Sequence, residues 1–291
     1  MTAVAVEQLS PRARRRKRLY RRFAKRPIAV FGLALAGFFV VVALLAPLLA
    51  PYGPGTNDFE AVLVGPRGGH LFGTDELGRD VLSRVIWGAR ASIQAGVAAT
   101  LLAMAVAVPI GLAAGYYRGW LDAVAMRLVD TLLSFPFLIL AVGLAAILGP
   151  SLTNATIAIG IAQVPQLIRI TRGEVLSTRE EDYVEAAVAN GAGDGVILAR
   201  HILPNISNTL LVQATVIIPA AIIAEAILSF LGLGVQPPVP SWGIMLSSAQ
   251  PFLTQAPWLA LFPGVAIILA TLSFNLLGDG LRDVLDPRSL S

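Results

Sequence analysis

The chain has 291 residues, 56% of them hydrophobic and only 14% charged, with a mean hydropathy of +0.73 and a formal charge of +4. A water-soluble domain carries about a quarter charged residues, and a soluble α/β barrel would need polar outer helix faces that the long apolar windows here do not offer; the composition points to an all-α polytopic membrane protein. Cysteine is absent, which excludes disulfides, cysteine–zinc sites and thiol nucleophiles.

The chain opens on a basic arm, residues 1–27. Within it "RARRRKRLYRRFAKR", Arg12 to Arg26, holds ten of the 22 basic residues. Nucleic-acid binding is one reading of such a run. This run stops one proline before a long apolar stretch, so it reads as a cytoplasmic membrane anchor, and no nucleic-acid partner is expected. A secretory signal peptide fits poorly. The apolar stretch is too long, and Pro47, Pro51 and Pro54 follow it in place of a small-residue cleavage site.

A membrane-spanning helix needs about 20 apolar residues. Candidates fall at 28–50, 92–115, 128–149, 153–170, 206–231 and 258–278, the last five within a core at 92–280. The fourth is short and carries Thr153, Asn154, Thr156, Gln163, Pro165 and Gln166, which places it inside a bundle and away from lipid. With the N-terminus in the cytoplasm, the basic arm, Arg118, Arg127, Arg169, Arg172, Arg179, Arg200, Arg282 and Arg288 all fall inside. Only Arg67, Arg79, Arg84 and Arg90 fall outside, all in the loop 51–91. This asymmetry predicts six transmembrane helices, N-in and C-in, with a cytoplasmic tail at 281–291. Pro109, Pro136, Pro165, Pro219 and Pro263 each remove a backbone donor and are expected to bend their helices. Membrane helices tolerate this when neighbours satisfy the freed carbonyls.

In the outer loop, "HLFGTDELGRDVLSRVIWGARASI" predicts a turn and then an amphipathic helix lying on the membrane surface, capped by Thr74 or Asp75. Val81, Leu82, Val85 and Ile86 would face lipid; Arg79, Asp80, Ser83 and Arg84 would face water.

Chemistry-bearing motifs are missing. No GxxxxGK[ST] phosphate loop, HExxH or GxSxG occurs, and His70 and His201 are isolated. Glu225 is the one acid deep in an apolar stretch, which makes it a candidate proton or cation site, or a structural or subunit-interface group. Its place near the outer third of its span favours the structural role. Asp130 reads as an interfacial charge.

Residues 171–204 leave the apolar pattern. "STREEDYVEAAVAN" predicts a helix capped by Ser177 or Thr178, with Glu180, Glu181 and Asp182 at its positive end. Gly191 stands where a left-handed residue ends a helix. Asp194 would cap a second short helix, "GVILARHIL", which Pro204 closes before the fifth span begins. Ala186 and Ala187 give a small, closely packable surface. Helix, glycine turn and short helix form a rigid cytoplasmic knob.

The spacing of that knob resembles a known family. Glu185-Ala186-Ala187, three residues, Gly191, nine residues and an apolar run ending Leu203-Pro204 resemble the EAA loop of ABC-importer permeases. The family pattern has isoleucine where this chain has His201, with Ile202 following. That departure is itself similar to the dipeptide/oligopeptide branch, whose "RHILPN" reading matches Arg200 to Asn205. Phe72–Arg90, "EAILSFLGLGVQPPVPSWG" (Glu225–Gly243) and "GDGLRDVLDPR" (Gly278–Arg288) resemble the same branch, and the arm and "GTDELGRD" loop resemble its C-type subunit.

The resemblance implies a type I ABC-importer permease fold in a bacterial or archaeal cytoplasmic membrane. It implies a non-catalytic subunit with no cofactor of its own, ATP and magnesium sitting on two partner ATPases. A related second permease and an extracytoplasmic substrate-binding protein complete the system. The EAA loop, with Glu185, Ala186, Ala187, Gly191, Asp194, His201, Leu203 and Pro204, would be the coupling element seated in an ATPase cleft. Glu185 would hold the loop or meet an ATPase basic group. Where relatives often have Ser-Asp, this chain has Gly193-Asp194-Gly195, which implies a looser helix start. Di- and oligopeptides are the implied cargo, with nickel chelates, glutathione or other small solutes as alternatives. A proton-coupled secondary transporter working through Glu225 is the reading from a different class.

Overall fold

The computed structural model describes residues 23–285; the basic run up to Arg22 and the tail from 286 on, Arg288 included, lie outside the described residues. Helix α1 (Pro27–Leu49) starts on a proline, whose missing N–H costs nothing at a helix N-terminus. One side of it is a seam of Ala29, Gly32, Ala36, Phe39, Ala43 and Ala46, buried against the last helix. The other side exposes Ile28, Phe31, Phe38, Leu44 and Leu48. Small residues inward and large apolar residues outward is the pattern of a helix packed in lipid, where close backbone approach drives association.

Helix α2 (Val81–Tyr117) is a single rod of 37 residues. The amphipathic surface helix expected over its first turns does not exist separately. The cap is Asp80, which accepts from the Ser83 amide at 2.7 Å, in place of Thr74 or Asp75. The polar residues expected to face water are buried: Arg79, Asp80, Ser83 and Arg84 are at most 7% exposed. The outer loop explains this, because it folds over them. Asp75 accepts from the Arg79 amide and Nε and lies 3.4 Å from Arg84 Nε, Arg79 reaches Glu76, and Arg84 donates to the Pro54 carbonyl. A periodic face of charge signals "not lipid"; it does not distinguish water from a satisfied polar interior.

The expected third span is broken. Helices α3 (Gly119–Leu133) and α4 (Phe137–Leu148) meet at 90° around Ser134–Pro136. Pro136 lacks the donor that would reach the Leu132 carbonyl, which the Phe135 amide takes instead at 3.3 Å, and Ser134 Oγ donates to the Thr131 carbonyl. Pro109, Pro165, Pro219 and Pro263, by contrast, all sit inside continuous helices.

The expected fourth span lies on α5 (Leu152–Arg179), which has 28 residues. Its polar residues lower its hydropathy, and it packs along α2 more extensively than any other helix pair. Gly111 and Gly115 of α2 sit against Thr171 and Val175 of α5, where a Cβ would come within 2.6 and 2.8 Å of side-chain carbon. After α6 (Asp182–Ala189), helix α7 (Asp194–Phe230) runs 37 residues and packs on α2 and on α9 (Trp258–Leu285). The short α8 (Trp242–Ala249) lies between α7 and α9. Among the described residues four helices, α1, α2, α7 and α9, are long and apolar enough to cross a membrane, or five spans if α3 and α4 make one bent span.

Candidate functional site

At one end of the bundle the chain from Glu180 to Leu203 forms a projection. Its first helix, α6, begins at Asp182 behind Glu181, not at the expected Ser177 or Thr178, which instead fall in the end of α5. Only Val184 of α6 is buried, packed with Val175, Ile197 and Ile202. The helix ends in a Schellman turn. Gly191, at φ +75°, donates to the Val188 carbonyl at 2.9 Å, and Ala192 donates to Ala187 at 3.1 Å. Nothing lies near a Cβ built on Gly191; its backbone angle alone demands glycine.

The second short helix is also absent as a separate element. Gly193 is the cap, Asp194 opens α7, and the chain runs through Pro204 without a stop. The physical reason is a π turn at Ile197–Ile202, where the Leu203 amide reaches five residues back to the Leu198 carbonyl. The Asn205 side chain satisfies the His201 carbonyl at 2.6 Å. The wider register carries the helix across Pro204, and the Asn205 side chain holds the turn on its other side. Pro204 itself is exposed; His201 and Leu203 are half-buried.

Asp194 does other work than capping. Its Oδ1 accepts from the Tyr116 hydroxyl at 2.9 Å, tying the projection to the end of α2. Arg179 stacks over the Tyr116 ring at 5.3 Å and donates to its carbonyl. Beyond this base the tip is open: Glu185, Ala186, Gly191 and Gly195 are exposed, as are Tyr183, Val188 and Val196. Glu185 forms no side-chain bond among the described residues. Burial, then the Glu181 carboxylate, raise the Tyr183 phenol above its ordinary value, so it stays a neutral donor there.

A polar furrow runs from the projection into the bundle. A cavity of about 510 Å³ is lined by Glu174, Asn205, Asn208, Thr209, Gln213, Asp279 and Arg282. A second, of about 220 Å³, holds Gln163, Gln166, Ile170 and Ala220 and shares Gln213 and Val216 with the first. Sequence reading placed Gln163 and Gln166 inside a bundle but did not connect them to Gln213 or Asn208. The signal was there: on α5, Gln163, Ile170 and Glu174 return to within about 20° of one helix face.

Glu225, one helical turn from the other end of α7, is fully buried. It accepts from Ser92 Oγ of α2 and Ser229 Oγ, each at 2.7 Å. Ser229 also accepts from the Val235 amide, and Trp242 donates to the Val85 carbonyl at 3.0 Å. The carboxylate thus ties α2 to α7, and Ser229 ties the loop after α7 to the same point. Asp130 pairs with Arg169, and Asp122 with Arg172, holding α3 to α5.

These features define a class: a helical membrane subunit with a folded projection at one end and a polar furrow leading from it, with no phosphate loop in its sequence. Residues 107–291 match the family described as the binding-protein-dependent transport system inner membrane component, and residues 15–66 match the N-terminal TM domain of oligopeptide transport permease C. The chain is 45% identical over 272 residues to the dipeptide transport system permease protein DppC of Alkalihalophilus pseudofirmus, covering 94% of this chain and 90% of that protein. It is 41% identical over 273 residues to the glutathione transport system permease protein GsiD of Pectobacterium atrosepticum, covering 94% and 91%. It is 44% identical over 270 residues to an Escherichia coli GsiD, covering 92% and 89%. The chain belongs to the binding-protein-dependent transport permease family. It is a non-catalytic permease subunit of an ABC importer.

Proposed function

We propose that this chain is the C-type permease of a peptide importer in a bacterial cytoplasmic membrane, with six spans, both termini inside, and the projection seated on an ATPase. The continuity of α7 carries the reading. The exposed tip at 182–196 leads without a break into a 37-residue helix, so a displacement of the tip is a displacement of a transmembrane rod. In this arrangement α5 and the bent α3–α4 pair supply the remaining two crossings. Glu185, Ala186, Ala187 and Gly191 form the seat; Asp194, His201, Leu203 and Pro204 form the joint to the rod. ATP and magnesium are held by two partner ATPases, and a binding protein delivers cargo to the opposite face. A second permease covers the other half of the path.

The cargo would move along the α5–α7 furrow. Its amide side chains, Gln163, Gln166, Gln213 and Asn208, make no side-chain bonds among the described residues and carry both donors and acceptors. That chemistry suits a peptide backbone whatever its side chains. Glutathione, itself a peptide, is a second cargo on the strength of the relatives named for it. Family membership supplies ATP as the energy source, which leaves the secondary-transport reading of Glu225 without a need to meet.

The test is Gly191→Val in the complex reconstituted in liposomes. The strained turn should abolish dialanine uptake and the binding-protein-stimulated part of ATP hydrolysis while the subunits still co-purify. Wild-type uptake from an intact complex would overturn the coupling role.

A further inference from the structure

The sequence stretch shared with the C-type branch ends in "WGAR", and the folded outer loop accounts only for its earlier residues. Gly88 and Ala89 turn inward, Gly88 against Trp242 and Ser241. This leaves Trp87, Arg90 and Gln94 on the opposite flank of α2, one helical face by spacing. There they line a cavity of about 360 Å³ whose other walls are Pro54, Leu152, Val239 and Pro240.

The chemistry of this cavity is one-sided. Trp87 Nε1 is buried and is the one buried side-chain polar atom without a hydrogen-bond partner among the described residues. An indole N–H can only donate. Arg90, exposed to the cavity, has no carboxylate partner among the described residues, although Arg79 and Arg84 of the same stretch share Asp75. Gln94 adds an amide that makes no side-chain bond among the described residues. A cation, a donor-only indole and an amide converge between apolar walls, and no acid lines the cavity. Leu152 in its wall stands on the same α5 face as Gln163, Ile170 and Glu174. From Leu152 to Glu174 the helical rise is about 33 Å, close to a hydrocarbon thickness. The cavity thus stands at the opposite end of α5 from the furrow, with the buried Ile159 between them on that face.

We infer that Arg90, Trp87 and Gln94 form an anion site at the outer end of the bundle, which receives the C-terminal carboxylate of an incoming peptide before it reaches the furrow. The inference rests on the peptide reading above. A main-chain carboxylate is ionised at neutral pH and common to all linear peptides. The guanidinium can take it through two parallel hydrogen bonds, and the indole N–H can complete its shell. Such a site orients the cargo without reading its sequence.

The absence of cysteine allows a clean test in the full complex with its binding protein and ATPases. Val239→Cys places one thiol of this chain at the cavity rim. An anionic sulfonatoethyl methanethiosulfonate should label it about tenfold faster than the cationic trimethylammonioethyl reagent, as read by mass spectrometry of this chain. Adding Arg90→Gln should bring the two rates together, and dialanine should protect the thiol where dialaninamide does not. In liposomes Arg90→Gln and Trp87→Phe should lower dialanine uptake about tenfold and about threefold relative to dialaninamide, and Arg90→Lys should restore part of the loss. Any preference of the binding protein cancels in that comparison between variants. Equal loss for both peptides, no charge preference in labelling, or a thiol unreactive in the assembled complex would each overturn the site, the last because a partner subunit then fills it. If the wild-type complex takes up neither peptide, the peptide reading fails, and the anion site is then decided by the labelling rates alone.

Discussion

The two ends of this molecule treat charge in opposite ways. At the end that carries the 51–80 loop, Asp75, Arg79, Asp80 and Arg84 are buried and bonded to one another and to loop carbonyls. At the other end, α6 leaves Glu185 and most of its surface exposed and holds to the bundle through Val184 and the Asp194–Tyr116 bond. Both segments are polar interruptions of an apolar chain, and both carry family motifs. One is a finished fold; the other leaves its surface open. The difference lies in where the hydrogen bonds go, inward in the first and unspent in the second.

That contrast can be broken at four places. The largest effect belongs to Asp75→Ala. It strands Arg79 and Arg84 in a buried site, at a cost of about 3–5 kcal/mol. It should show as a lower melting temperature in detergent and as proteolysis within 51–80, while a matching Glu185→Ala at the exposed end leaves the isolated subunit's melting unchanged. Next, Glu225→Ala removes the acceptor shared by the buried hydroxyls of Ser92 and Ser229, costing about 2–3 kcal/mol. Glu225→Gln should recover much of this, with ATP-driven uptake retained and independent of a proton gradient. Third, Tyr116→Phe cuts the tie to Asp194 at about 1 kcal/mol in stability. Its larger effect should be on coupling: ATP hydrolysis persists while uptake per ATP falls. Smallest is Gly195→Ala. A Cβ there meets nothing within 4 Å, so the change should firm the start of α7 by about 1 kcal/mol. Slower amide exchange over Asp194–Leu198 would register it.

Much of the architecture was legible in the sequence. Hydropathy located α1, α2, α7 and α9, and Gly191 announced its turn by identity and position. What escaped was the continuity of elements. Thr74, Asp75 and Ser177 all looked like caps, because short polar side chains signal a cap equally well when they sit in a folded loop or in the end of a preceding helix. Pro204 looked like a stop, because a π turn that rescues the ladder depends on Asn205 and on packing that no window of hydropathy contains. Pro136 looked like one kink among several. Only tertiary packing separates it, which ends a helix, from Pro165, which does not. The furrow was invisible for a related reason. Its amides come from different helices, and periodicity on α5 alone says which residues share a face, not what that face meets.

The length of α7 has a consequence for how the subunit sits in its surroundings. Its 37 residues span about 55 Å, while a bilayer's hydrocarbon layer takes about 30 Å. Several turns of it are therefore more than the lipid tails need. That surplus is long enough to hold the projection off the membrane like a flag on a mast. A docked protein can grip it without desolvating lipid, and changes in lipid charge or thickness reach that grip only through the mast.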